Sequence, residues 1–141
     1  AKRYVCVDSS PKVVLAAAER LKKWPTVSVM KADMHELPFG AAQFDLVLMM
    51  HALSYTKKPA LVIEEAARVL KPKGQLLLSC LMKHGHRSVV EPFGHENLGF
   101  SQKELIRHAE KAGLTVKHCE VVSRERRAPH FEILMLLAEK P

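Results

Sequence analysis

Two apolar runs, FDLVLMM at Phe44–Met50 and QLLLSCL at Gln75–Leu81, constrain the fold most. A half-solvated strand alternates apolar and polar residues, whereas a continuous apolar run marks a central strand buried on both faces. Between the runs, Ile63, Ala66, Ala67 and Leu70 recur at helical spacing from Pro59 to Leu70, and KPKG is expected to end that helix. Strand, crossover helix and strand in this order predict a parallel pair.

The same alternation runs through most of the chain and predicts an α/β sheet covered on both faces. Tyr4–Val7 reads as a strand. Ser10 as N-cap and Pro11 at the first helical position then open a helix whose Val14, Ala17, Ala18 and Leu21 share a face until WP stops it. Val27–Met30 reads as the next strand. An irregular, histidine-bearing stretch runs from Met82 to Phe100, and Ser101 with Glu104 forms a capping box ahead of a helix ending at Gly113. Leu114–Val122 and Phe131–Ala138 close the chain as strands. The connector SRERRAPH is too short for a parallel crossover, so these two should pair antiparallel.

A chain of 141 residues is expected to form one domain with a sizeable core. Its longest apolar stretches, such as ILMLLA, are too short to span a bilayer, and no stretch has a signal-peptide pattern. Cys6, Cys80 and Cys119 lack C-x-x-C spacing and fall in expected strands. Buried, reduced thiols and a cytoplasmic location are the simplest reading. The net charge of +7 is spread over lysines and arginines in ones and twos, which argues against a nucleic-acid face on this chain alone.

Asp8, just past a strand end, is placed to accept protons from two ribose hydroxyls. A residue that merely holds the strand end or caps the helix explains Asp8 equally well when it is taken alone. Asp33, in VMKADMHELPF, ends the following strand. It is placed to accept an adenine amino proton, with Met34 packing on the ring, and a plain turn Asp is its alternative. Ends of adjacent parallel strands converge where open α/β sheets bind ligands, so the two acids together say more than either alone. No G-x-G-x-x-G occurs. His84 and His86 in KHGHR, with His95, have no carboxylate or cysteine completing a zinc-like spacing, so no metal is expected. Phe93, His95 and Phe100 are candidates to line an acceptor pocket; a solvated loop packed by its phenylalanines is the alternative.

Four blocks, VCVDSSPKVVLAAAER, VMKADMHELPFGAAQFDLVLMMHALSY, ARVLKPKGQLLLSC and GFSQKELIRHAEKAGL, stand in an order and spacing that resembles the class I S-adenosylmethionine-dependent methyltransferases. The resemblance implies a Rossmann-like sheet of order 3-2-1-4-5-7-6, mostly parallel, with an antiparallel C-terminal hairpin. It also implies S-adenosylmethionine as cofactor and methyl transfer to an unidentified small-molecule or protein acceptor. Carried over residue by residue, it puts Asp8 on the ribose with Ser9 beside it, Asp33 and Met34 around the adenine, and Met50 and His51 near the methionine portion. No catalytic residue follows from it, although His51 or His95 would be the first base to test if the acceptor needed one.

The family's first strand and glycine-rich loop are not found in the sequence, so the chain is expected to be the C-terminal part of a longer protein. The strands that would flank the absent one would then present edges that invite aggregation or pairing with a second copy. GHENLGFSQKEL and FEILMLLAEKP look most like methyltransferase domains fused behind an ArsR-type winged-helix regulator. That resemblance keeps a second reading open, a cofactor-sensing module of a DNA-binding regulator.

Overall fold

The computed structural model describes residues 2–141, which divide into two compact units, 2–38 and 39–141. The first unit is a βαβ crossover: β1 (Tyr4–Asp8), α1 (Pro11–Leu21) and β2 (Val27–Lys31), the strands parallel with Asp8 opposite Lys31. Ser10 starts α1, its Oγ accepting the Val13 N–H at 3.4 Å, and Pro11 occupies the first helical turn, where an N–H would lack a partner anyway.

The second unit holds β3 (Phe44–Met50), α2 (Pro59–Val69), β4 (Leu70–Leu81), the single helical turn α3 (Arg87–Val90), α4 (Gln102–Lys111), β5 (Thr115–Arg124) and β6 (Glu132–Glu139). Its sheet has the order β3-β4-β6-β5, with β3 parallel to β4 and β6 antiparallel to both β4 and β5. The parallel pair and the antiparallel closing hairpin are as the sequence predicts. The two sheets reproduce the 3-2 and 4-5-7-6 portions of the expected strand order, and no described strand corresponds to the family's first.

Alternation along the strands decides where the core lies. Leu76, Leu78 and Cys80 of β4 pair with Ala138, Leu136 and Leu134 of β6, and all six are buried. Val62, Ile63 and Ala66 of α2 and Leu105 and Ala109 of α4 are buried with them. The C-terminal end of α2 is closed from a distance: Lys140 Nζ donates to the carbonyls of Ala67 at 2.9 Å and Leu70 at 2.7 Å, which places a cation at the negative helix terminus.

Three expectations need correction. FDLVLMM is not buried on both faces: Leu46, Leu48 and Met50 are 50%, 61% and 49% exposed. Among the described residues β3 is the edge strand of this unit's sheet, bonded to β4 alone, and the helices of this unit cover the other face of the sheet. KPKG does not follow α2 as a loop but lies within β4, because Lys73 N–H bonds the Lys140 carbonyl and Lys140 N–H bonds the Gly74 carbonyl. There Gly74 is required: a Cβ would come 2.8 Å from the Lys71 carbonyl oxygen and 3.1 Å from that of Phe44. Finally, the thiols differ in burial. Cys80 is buried and Cys119 half-buried, but Cys6 is exposed on its two-stranded sheet.

Candidate functional site

In the first unit, four of the expected residues stand at the C-terminal ends of two adjacent parallel strands. β1 delivers Asp8, whose Oδ1 accepts the Ser10 N–H at 2.8 Å while its backbone carbonyl accepts the Ala32 N–H at 3.0 Å. Capping α1 therefore falls to Ser10, and Asp8 holds the turn. A carboxylate offers about four acceptor positions, so most of its capacity is left for a ligand. Ser9 is exposed beside it.

Two residues past β2, Asp33 Oδ1 accepts the His35 N–H at 2.8 Å and the His35 Nδ1–H at 2.6 Å. These bonds, the backbone one foremost, hold the Asp33 carboxyl below its ordinary pKa, so it is ionised and can only accept. Its side chain is 66% exposed, with Oδ2 outside both of those bonds. Met34 is half-buried next to it.

The second unit places Met50 and His51 at the C-terminal end of β3. Ser79 on β4 fixes both, its hydroxyl donating to Met50 Sδ at 3.5 Å and its carbonyl accepting the His51 N–H at 2.9 Å. His51 has φ 57°, a left-handed conformation that is uncommon outside glycine and occurs often at ligand sites. A turn of 3-10 helix (Ala52–Tyr55) follows, and the Tyr55 ring meets the His95 ring edge-on at 5.2 Å. Burial, reinforced by the charge of nearby His51, lowers the His95 pKa, and its buried Nδ1 has no hydrogen-bond partner.

Of the three acceptor-pocket candidates His95 lines a cavity of about 210 Å³, which it shares with Arg87, Glu91 and Asn97. Phe93 is 72% exposed, and Phe100, 5% exposed, packs its ring edge-on to His108, so neither shapes that cavity. A residue that sequence reasoning missed holds the irregular stretch in place. Asn97 Nδ2 donates to the carbonyls of Leu53 at 2.6 Å and Thr56 at 2.9 Å, while its Oδ1 accepts the Gly99 N–H at 3.0 Å. The spacing Asn-Leu-Gly signals the short-range bond as a turn. Nothing local signals the other two.

This α/β architecture, with carboxylates at parallel strand ends, defines a nucleotide-binding class of fold. Residues 1–78 match the family described as "Methyltransferase domain", and the chain belongs to that family. It is similar to the demethylmenaquinone methyltransferase of Tropheryma whipplei, 33% identical over 87 residues, covering 62% of this chain and 35% of that protein. It is also similar to a "Probable S-adenosylmethionine-dependent methyltransferase" of Mycobacterium tuberculosis, 32% identical over 97 residues, covering 66% of this chain and 34% of the relative. Among solved structures, the [4+2]-cyclase SpnF matches with a TM-score of 0.83 at 20% identity, over 99% of this chain and 66% of that one, a likeness that shows the fold. The chain thus spans about a third of the length of these two curated relatives. Among the described residues, no helix is long and apolar enough to cross a membrane.

Proposed function

We propose that this chain is part of an S-adenosylmethionine-dependent methyltransferase, one methyltransferase domain whose first unit holds the nucleoside of the cofactor. The observation that carries the reading is the pairing of Asp8 and Asp33 at the ends of β1 and β2, inside the segment that matches the family. The donor set fits. Asp8 accepts from the ribose hydroxyls with Ser9 beside it, ionised Asp33 accepts from the adenine amino group, and Met34 packs on the ring. Both carboxylates are pre-oriented by backbone N–H groups, which lowers the ordering cost of binding.

In the second unit, Met50 and His51 are assigned to the methionine portion. The name of the Mycobacterium tuberculosis relative supports the choice of cofactor. When bound, S-adenosylmethionine supplies an electrophilic methyl on a positively charged sulfur, so orientation and exclusion of water can provide most of the rate enhancement. If the acceptor is a hydroxyl or an ammonium, His51 or His95 is the first base to test.

Calorimetric titration with S-adenosylhomocysteine tests the reading. Asp8→Ala should weaken binding by about 1 to 3 kcal/mol, roughly 5- to 150-fold, because it strips a charge-assisted contact from two hydroxyls. Asp33→Ala should cost less, since Met34 shares adenine recognition. Equal affinity of wild type and Asp8→Ala would remove Asp8 from the site.

A further inference from the structure

The second unit contains a larger cavity, of about 480 Å³, whose wall carries two cations, Lys83 and Arg124, and one carboxylate, Glu132. It forms where the chain leaves β4 and meets the β5–β6 connection, and Lys83, His84, His86, Arg124, His130 and Phe131 line it. β3 and β4 run parallel, with Met50 opposite Ser79, so the cavity lies just past the same strand ends that present Met50 and His51. Its volume is that of a small-molecule site.

The wall is organised around an aromatic stack. The His84 ring lies 4.6 Å from Phe131 and 5.8 Å from His86, and His86 in turn meets Phe131 edge-on at 5.8 Å. The backbone N–H of His86 donates to His84 Nδ1 at 3.0 Å, so the neutral His84 ring carries its proton on Nε2. That Nε2 is buried with no hydrogen-bond partner, a donor lacking an acceptor. His130 is fixed on the other side by the Glu125 carbonyl, 3.1 Å from Nδ1, so Nδ1 is the donor there.

The charges are unequally spoken for. Lys83 is taken by Glu104 at 2.6 Å. Arg124 stands opposite Glu132 in the β5–β6 register, yet among the described residues it forms no ion pair within 4.0 Å. Among the described residues no group of three or more metal-ligating side chains comes together, so the imidazoles are not arranged around a cation. A guanidinium with five donors, imidazole N–H groups and an aromatic floor together recognise an oxyanion attached to a carbon skeleton.

We propose that this cavity anchors the methyl acceptor by an anionic oxygen group, a carboxylate or a phosphate, with Arg124 as the principal charge, His86 as an additional donor and His130 as a neighbour on the cavity wall. Phe131 packs against the acceptor's carbon atoms. The inference rests on the methyl-transfer reading and gives that reading a substrate class, an anionic small molecule.

Histidine side-chain ¹H–¹⁵N spectra of the protein, titrated in parallel with inorganic phosphate and with succinate at matched chloride, test it. Saturable shifts of the His86 and His130 imidazoles are expected, weakened at least about fivefold by Arg124→Ala and partly restored by Arg124→Lys. A response to phosphate alone selects a phosphorylated acceptor; a response to succinate alone selects a carboxylate. No saturable shift with either probe, or shifts that Arg124→Ala leaves unchanged, overturns the proposal. S-Adenosylhomocysteine binding measured on the same sample separates the two readings. If it persists without anion binding, only the acceptor anchor fails, whereas anion binding without it sinks the acceptor assignment together with the methyl-transfer reading.

Discussion

Replacing Asn97 with alanine should loosen the stretch that links β4 to α4. The side chain makes three hydrogen bonds, two donated to the carbonyls of Leu53 and Thr56 and one accepted from the Gly99 N–H. Leu53 and Thr56 are 0% and 2% exposed, so their backbone groups have little water to turn to once the amide is gone. At about 1 kcal/mol for each bond lost, the substitution should cost roughly 3 kcal/mol. With an m-value of about 2 kcal/mol/M, the urea midpoint should fall by about 1.5 M.

Asn97→Asp separates the contributions, because a carboxylate can still accept from Gly99 but cannot donate to either carbonyl; it should lose most of the stability that alanine loses. Hydrogen exchange adds a local readout. The Glu96 N–H, bonded to the Ser54 carbonyl at 2.7 Å, should lose protection in Asn97→Ala before the amides of β4 do. A shift in midpoint below about 0.3 M, with Glu96 still protected, would refute the view that Asn97 fastens this stretch.

Leu136→Ala, at a fully buried position between β4 and β5, should destabilise by about 2.7–5.0 kcal/mol in urea unfolding, and a loss under about 1 kcal/mol would misplace the core. Exposed Cys6 should react quickly with a thiol reagent, whereas burial pushes the Cys80 thiol up to about 12 and should delay its reaction until unfolding; mass-mapped labelling reads both. Burial lowers the pKa of His84, His95 and His108 from 6.5, so the folded protein binds fewer protons than the unfolded chain. Stability should accordingly be complete above that ordinary value and be lost as pH falls through the lowered folded values. Urea midpoints should decline from about pH 7 to pH 5, and replacing all three with glutamine should flatten that decline.

Local chemistry made much of the fold legible. Ser10 and Pro11 start α1, Ser101 starts α4 with its Oγ accepting the Glu104 N–H at 3.1 Å, and Gly113 ends α4 at φ +87°, all from signals a few residues long. There the Glu104 carboxylate faces back to the Ser101 backbone N–H as a capping box requires, and it also bonds Lys83, a partner no local signal announces. The extent of β4 was not legible, since its first residues are fixed by Lys140, about 70 residues away, and no local pattern encodes that contact. Nor was the exposure of Leu46, Leu48 and Met50, because an apolar run reports what a strand is suited to bury and not what lies against it. Asp8 and Asp33 stand where their strand-end positions placed them, but His51 owes its left-handed turn to a bond with Ser79 on a neighbouring strand.

The central claim is that the nucleoside of S-adenosylmethionine sits on the strand ends of the first unit. Backbone-amide chemical-shift mapping during titration with S-adenosylhomocysteine tests it most directly. The account predicts saturable shifts concentrated at residues 8–10 and 32–35, with further shifts at 50 and 51, and loss of the 8–10 response in Asp8→Ala. Saturable binding whose shifts leave residues 8–10 and 32–35 untouched would contradict it.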